Sequence, residues 1–361
     1  MAASAADSAK GMMRLDAGRL TSAAASLFEA AGVSREDAAI VAEDLVRADL
    51  EGMGSHGVML LPMYLDRLLA GSVSTRSEGT IVSDNKTAIV IDAGHALGQL
   101  TARQAVRLAV ARARELGMAC VAVRNAFHFG TAGRYARMMA EQGCVGIVMS
   151  NTRPLMPAPG GAEALVGNNP MAIALPSAGA HPVEVDMALS ATAMGKIRLA
   201  AAAGQQIPSD WAMDSEGKPT TDPVAAIKGM LAPAAGPKGF GLAFVIDLLC
   251  GGLSGGAISA DVRPLYGDAA DPYRCSLLFM AIDIGAFPDG ATMPQRVSEQ
   301  AARVSASKRA PGIERVYAPG ELTDATYKRN AGSCTISRQT YDSLIAAGQR
   351  AGLDLATTLE D

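Results

Sequence analysis

The chain has 361 residues, 49% hydrophobic and 19% charged, with a formal net charge of −4 and only 4% aromatics. This is enough apolar material for two domains, or for one large core with an insertion, filled largely by small and flexible side chains. The mild charge and the lack of a basic run argue against a nucleic-acid partner, whose backbone calls for a basic stripe.

Residues 1–13, MAASAADSAKGMM, have no continuous apolar stretch after a basic start, so they read as a loose tail and not as a secretory signal. From about Asp16 to Leu50 two amphipathic helices are expected. The first carries Leu20, Ala24, Leu27 and Ala31 at helical spacing and ends at Gly32. Ser34 with Asp37 three residues on resembles a capping box, and Ala38, Val41, Leu45 and Ala48 form the second stripe. Pro62 to Leu69 reads as a short helix stopped near Gly71. Thr87–Asp92 reads as a strand, Leu100–Leu116 as a long helix whose stripe drifts at Arg112, and Met118–Val123 and Val145–Met149 as strands around a helix at Gly133–Glu141. Residues 151–176 are rich in Pro, Gly and Asn, the texture of site-bearing loops. A charged, turn-rich stretch spans Pro208–Pro223. The most apolar stretch, Gly239–Ala260, holds Asp247 and several glycines, so it is expected to be a buried core helix and not a membrane span. Alternating strands and helices give an α/β class with α+β character.

The cysteines (Cys120, Cys144, Cys250, Cys275, Cys334) are odd in number, with no CxxC spacing. They are expected to be free thiols in a reducing, cytoplasmic setting. Gly52-Met53-Gly54-Ser55-His56-Gly57 satisfies G-x-G-x-x-G literally, but charged helical sequence precedes it where a dinucleotide fingerprint needs a buried strand. With 38 glycines in the chain a chance match is unsurprising, and no G-x-x-x-x-G-K-[ST] loop occurs.

Of the four histidines, none has HExxH spacing, and no acid/His cluster resembles a metal cage, so no metal is expected. His56 and His128 sit among glycines and small residues, where a ligand can approach and an imidazole titrates near neutrality. His95 and His181 lie in polar, turn-like sequence and are expected to be exposed. Asp186, in the apolar run Val185–Ala188, is either an orienter of a histidine or a helix cap.

Seven segments in order complete the pattern: SHGVMLLPMY (55–64), AFHFGTAGRYA (126–136), PGGAEALVGNNPMAIALP (159–176), VDMALSATAMGK (185–196), WAMDSEGKPTTDP (211–223), GPKGFGLA (236–243) and PGIERVYAPGE (311–321). Together they resemble the malate/L-lactate dehydrogenase-like oxidoreductases, over roughly Leu15–Glu321. That family, which includes ureidoglycolate dehydrogenase, diketogulonate reductase and the piperideine-2-carboxylate/pyrroline-2-carboxylate reductases, is distinct from the Rossmann lactate and malate dehydrogenases. The resemblance implies a non-Rossmann fold, with a largely antiparallel sheet domain (126–309) binding NADH or NADPH. A helix-rich domain would form from 1–125 together with 310–361, and the chain would be a homodimer. It implies His56 as proton donor, Ser55 beside it and Asp186 in a supporting relay. His128, Phe129, Gly130, Thr131 and Ala132 would lie along the cofactor, as would Asp186, Met187 and Ala188, Pro237 and Lys238, and Pro319, Gly320 and Glu321. The substrate would be a 2-oxo or 2-hydroxy acid. A cyclic imino acid, or a fold retained for cofactor binding without turnover, are the alternatives.

Two positions depart from the family pattern. Many members have an arginine where this chain has Leu60; if the segment were helical, that residue would share a face with His56. A carboxylate would then be gripped by another cation, with Arg153, Lys196, Arg198 and Arg67 as candidates. Asn168 also replaces a usual threonine, altering one polar contact.

Overall fold

The computed structural model describes residues 11–179 and 181–360. Strand β1 (Met12–Asp16) leads into helix α1 (Ala17–Ala30), whose first turn is capped by the Asp16 carboxylate accepting the Arg19 N–H. Helix α2 (Arg35–Leu50) begins at Ser34, whose hydroxyl accepts the Asp37 N–H at 3.2 Å and donates to the Asp37 carboxylate at 2.7 Å. Such a cap contributes about 1 kcal/mol. The stripe Ala38, Val41, Leu45 and Ala48 is buried, as the periodicity requires.

After α2 the chain turns at Gly52 (φ 82°) into two short 3₁₀ turns, Gly54–His56 and Val58–Leu60, separated by an extended Gly57. Helix α3 (Leu61–Leu69) follows, with Pro62 in its first turn, where no N–H is needed. Next come β2 (Thr80–Asn85), β3 (Ala88–Asp92), α4 (Gly98–Leu116), β4 (Met118–Ala126), α5 (Ala132–Ala140) and β5 (Cys144–Ser150). The second half supplies β6 (Met171–Leu175), β7 (Val183–Met187), α6 (Met194–Ala202), α7 (Pro237–Asp247), β8 (Cys275–Asp283), α8 (Met293–Ser305), α9 (Glu321–Arg329), β9 (Ser333–Ser337) and α10 (Arg338–Arg350).

Among the described residues the main sheet has seven strands in the order β2-β3-β4-β8-β5-β6-β7. Only β3 and β4 run parallel, joined through α4; the other neighbours are antiparallel. The sheet is therefore largely antiparallel and lacks the repeated βαβ winding of a Rossmann domain. Phe279 of the central strand β8 pairs with Val121 on one side and Val148 on the other. Leu277 and Phe279 pack into the larger core with α4 and α5, while Leu278 belongs to a second core with Ile197, Ala243 and Ile246. That alternation shows both sheet faces to be covered. The larger core runs from Leu15 to Leu359, drawing both chain ends onto one face of the sheet.

Three expectations are corrected. Met12 and Met13, read as tail, lie in β1 and pair with β9, whereas residues 1–10 fall outside the described residues. Gly239–Ala260 is not one buried helix. Helix α7 ends at Asp247, a π-turn follows over Leu248–Gly252, and Leu242, Phe244, Val245, Leu248 and Leu253 face solvent. Glycines 251, 252, 255 and 256 break the helix, and among the described residues no second layer covers the outward residues of the run. His95 and His181 are partly buried: the His95 backbone is pinned to Asn125 and Ser74, and His181 sits between Glu184 (3.8 Å) and Asp324 (3.6 Å). Among the described residues no helix is long and apolar enough to cross a membrane.

Candidate active site

The loop after α2 presents Ser55 and His56 toward the segment that follows β4. Ser55 Oγ lies 2.9 Å from His56 Nδ1, and the His56 ring stacks on that of His128 with centroids 5.5 Å apart. Tyr64, from α3, reaches the same point: its Oη is 2.6 Å from His128 Nδ1 and 3.2 Å from the His128 carbonyl, and it accepts from Gln99 Nε2 at 3.1 Å. Burial drives the Tyr64 phenol far above its ordinary range, so it keeps its proton. Tyr64 Oη thus meets His128 at both Nδ1 and the backbone carbonyl, which fixes the position of the imidazole.

Burial, with the neighbouring His56 adding to it, pushes His128 down to about 3, which makes it a neutral imidazole. Burial also lowers His56. Among the described residues no hydrogen bond joins His56 to Asp186; the partner of its Nδ1 is Ser55. Burial therefore disfavours a positive charge on His56.

Asp186 stands near the end of β7, and its Oδ2 accepts the Gly133 N–H in the first turn of α5 at 2.8 Å. A Cβ on Gly133 would lie 2.8 Å from that oxygen, so the carboxylate can cap this turn only over glycine. Burial raises Asp186 to about 6, opposed by the Gly133 N–H. Beside it, Glu184 N donates to the Pro319 carbonyl at 3.3 Å, and Gly320 packs on the Glu184 side chain. Glu321 is held by Ser305 Oγ (2.7 Å) and Ala318 N (3.0 Å). Just beyond Ala188, Ala234 N donates to the Leu189 carbonyl and places the start of α7, with Pro237 and Lys238, alongside. The segments 128–133 and 186–188 thus border one end of the sheet, with the α7 N-terminus next to 186–188, while 319–321 lies against Pro182 and Glu184 at the start of β7.

These residues fit a dinucleotide. Lys238 is exposed and, among the described residues, has no ion-pair partner. It stands in the first turn of an 11-residue helix, where unpaired N–H groups favour phosphate. Side chains at Gly130 and Gly236 would meet nothing within 4 Å, so the backbone is open to a ligand there.

The candidate cations separate clearly. Leu60 is 1% exposed within the larger core, and the break at Gly57 means that the segment is not one helix bearing His56 and residue 60 on a common face. Arg67 is buried and donates to the carbonyls of Pro264, Leu265 and Asp271, which leaves it no role with substrate. Lys196 and Arg198 are exposed on α6, with Arg198 5.9 Å from the Tyr266 ring. Arg153 is exposed, makes a single long bond to the Pro154 carbonyl (3.4 Å), and its charge acts on the buried Tyr273. Tyr273 lies edge-on to Phe127, the residue before His128. The turn carrying Arg153 is fixed by Thr152, which donates its hydroxyl to Asn168 Oδ1 and its N–H to Asn169 Oδ1, both at 2.9 Å. The Asn168 departure therefore serves the turn that carries Arg153.

Sequence reasoning singled out neither Tyr64 and Gln99 nor a buried ion group behind Asp186. There Arg137 donates to both oxygens of Glu51 (2.8 and 3.1 Å) and stands 3.2 Å from Glu184, while Arg47 also holds Glu51 at 2.7 Å. In sequence these are ordinary helix charges; only the crossing of α2 and α5 beneath β7 reveals them.

A largely antiparallel sheet with a histidine pair at one end and an open, phosphate-ready helix start beside it defines a dehydrogenase-type enzyme outside the Rossmann class. The family model described as malate/L-lactate dehydrogenase matches residues 15–345. L-sulfolactate dehydrogenase of Methanocaldococcus jannaschii is 35% identical over 331 residues, covering 91% of this chain and 94% of that protein. Its solved structure superposes with a TM-score of 0.90 at 33% identity, over 96% of this chain and 99% of that one. Other relatives are a (2R)-3-sulfolactate dehydrogenase (NADP(+)) of Chromohalobacter salexigens, 37% identical over 81% of this chain and 87% of that one, and the ureidoglycolate dehydrogenase (NAD(+)) of Escherichia coli K12, 34% identical over 83% and 86%. The chain belongs to the malate/L-lactate dehydrogenase family and is an oxidoreductase of that family.

Proposed function

We propose that the chain interconverts a 2-oxo acid and a 2-hydroxy acid with a nicotinamide cofactor, and that His56 carries the proton. The observation that supports this most is the His56–His128 pair, half-buried next to the segment 128–133, which Asp186 ties to β7. The segments 128–133 and 186–188 with the start of α7 would hold the nicotinamide dinucleotide, with Lys238 and the α7 N-terminus toward its phosphates; when bound, it supplies the hydride. His128, a neutral imidazole, orients the substrate, and His56 gives the substrate oxygen its proton during reduction. Asp186 acts on this site by anchoring the first turn of α5 and not by direct contact with His56. In this division 1–125 with 310–361 brings the histidine loop, and 126–309 most of the cofactor wall.

Arg153 takes the substrate carboxylate in place of an arginine at position 60. That carboxylate is also the anion that lets a burial-depressed His56 take up its proton. A panel of pyruvate, oxaloacetate, 3-sulfopyruvate, 2-oxoglutarate, ketopantoate and piperideine-2-carboxylate, with NADH and NADPH, tests the reaction class and the cofactor together. Oxidation of either nicotinamide with at least one 2-oxo acid is expected; turnover of the imine alone would move the assignment to imino acids, and no turnover or cofactor binding would end the enzyme reading. On the accepted substrate, Arg153→Ala should raise KM by ~10–100-fold, the loss of one charge-assisted contact, with nicotinamide affinity unchanged. An unchanged KM places the carboxylate at another wall.

The solvent-facing Leu242, Phe244, Val245, Leu248 and Leu253 form an apolar face that a second copy would cover. Light scattering should therefore give twice the 37.0 kDa of one chain, and a monomer at micromolar concentration would contradict this. The free thiols, most of them buried, suit a cytoplasmic setting.

A further inference from the structure

The segment that carries Ser55 and His56 is two short turns with no strand or long helix to fix it. Val58 and Leu60 bury its far end in the larger core, and a side chain from the preceding helix supports it from beneath. Asp49, next to the last residue of α2, points its carboxylate under the loop, where Oδ2 accepts the Val58 N–H at 2.8 Å. The same carboxylate lies flat against Gly57: a Cβ there would fall 2.2 Å from Cγ, Oδ1 and Oδ2 alike. At the near end of the loop, a Cβ on Gly54 would lie 3.4 Å from Oδ1. Gly57 has φ −93° and ψ −156°, extended backbone open to any residue, so glycine is required there by the carboxylate and not by the chain's path.

We infer that Asp49 is a positioning residue for His56, a clamp that bonds Val58, packs on Gly57 and so sets the imidazole just before them. The inference rests on the reading of His56 as proton donor. Burial pushes the Asp49 carboxyl to about 7 against the pull of the Val58 N–H, so an acid is kept here at an energetic disadvantage. Asparagine would offer Val58 the same acceptor in the same shape. Nothing in the loop's own sequence points to Asp49; the contact appears only once α2 and the loop are folded against each other.

The test compares Asp49→Ala, Asp49→Asn, Gly57→Ala and the double variant Asp49→Ala/Gly57→Ala in the full chain. The readouts are kcat, KM, nicotinamide affinity, melting temperature and the ¹⁵N imidazole signals of His56, assigned by their loss in His56→Ala. Asp49→Ala should lower kcat by ~10–100-fold, the scale of a small misplacement of a reacting group, with nicotinamide affinity unchanged and the His56 signals shifted. Asp49→Asn should restore most of kcat and the native signals. Gly57→Ala should be as harmful as Asp49→Ala, but the double variant no worse than Asp49→Ala alone, because the added methyl then has room. Losses that multiply, or an Asp49→Ala chain with native kcat and native His56 signals, overturn the clamp. Shifted signals with native kcat uphold the clamp and remove His56 from the chemistry instead. If Asp49→Ala does not fold, the other two single variants decide: Asp49→Asn must keep kcat and the signals, and Gly57→Ala must lose both.

Discussion

Replacing His56 with alanine is expected to lower turnover by about two to four orders of magnitude while nicotinamide binding persists, the range in which a positioned acid or base acts. The proposed proton carrier contacts Ser55 and His128. The pH dependence gives a second, independent reading. Burial lowers His56 below its ordinary value, so in the free enzyme the protonated form disappears on the acid side of neutrality. Reduction needs that form; its kcat/KM should fall as pH rises through the lowered pKa. Oxidation needs the neutral form and should hold a plateau through neutrality, dropping only in acid. Both limbs should vanish in His56→Ala. Near-normal turnover in that variant would assign the proton to another group, and His128, stacked on His56, is the one within reach.

Much of the helical frame was legible in the sequence because each helix buries one stripe. Leu20, Leu27, Val41 and Leu45 are all within the larger core. The central strand was not legible. Cys275–Phe279 is buried on both sides, so it reads as a continuous apolar run, and periodicity cannot separate such a run from a helix. Strand β2 fails for the opposite reason: every residue from Thr80 to Asn85 is exposed, and it is placed by pairing with β3 alone. At the site, the motif around Ser55 and His56 was visible, but its supports were not. Asp49 lies only seven residues before His56, yet its contact depends on a break at Gly57 that the sequence pattern does not announce. Leu60 shows the same limit, since its expected place beside His56 assumed a helix that the two 3₁₀ turns replace. Arg153 and Arg67 looked equivalent as charges; folding gives Arg67 to three backbone carbonyls and leaves Arg153 free for a ligand.

Arg137→Met should lower the melting temperature by about 10 °C, the counterpart of the roughly 3–5 kcal/mol lost when one member of a buried ion group is removed. Arg137 is 2% exposed, and the change leaves Glu51 and Glu184 buried with only Arg47 near the first of them. In the native protein burial works against the Glu51 carboxylate, but Arg137 and Arg47 outweigh it and hold the group below its usual range. A carboxyl lowered on folding adds stability above its unfolded pKa, and that stability is lost as pH falls through the lower, folded value. Without Arg137 burial dominates, the folded pKa rises, and the sign reverses: relative to the native protein, the variant should gain stability as pH falls from neutrality toward 5. Asp186 feels the Arg137 charge as well, so nicotinamide affinity should show its own change with pH. Adding Glu51→Gln to Arg137→Met removes a stranded charge and should recover a large part of the lost melting temperature, a non-additivity expected for groups in direct contact. A deficit that Glu51→Gln does not reduce would mean that packing around the guanidinium, and not its charge, joins α2 to α5 behind the active site.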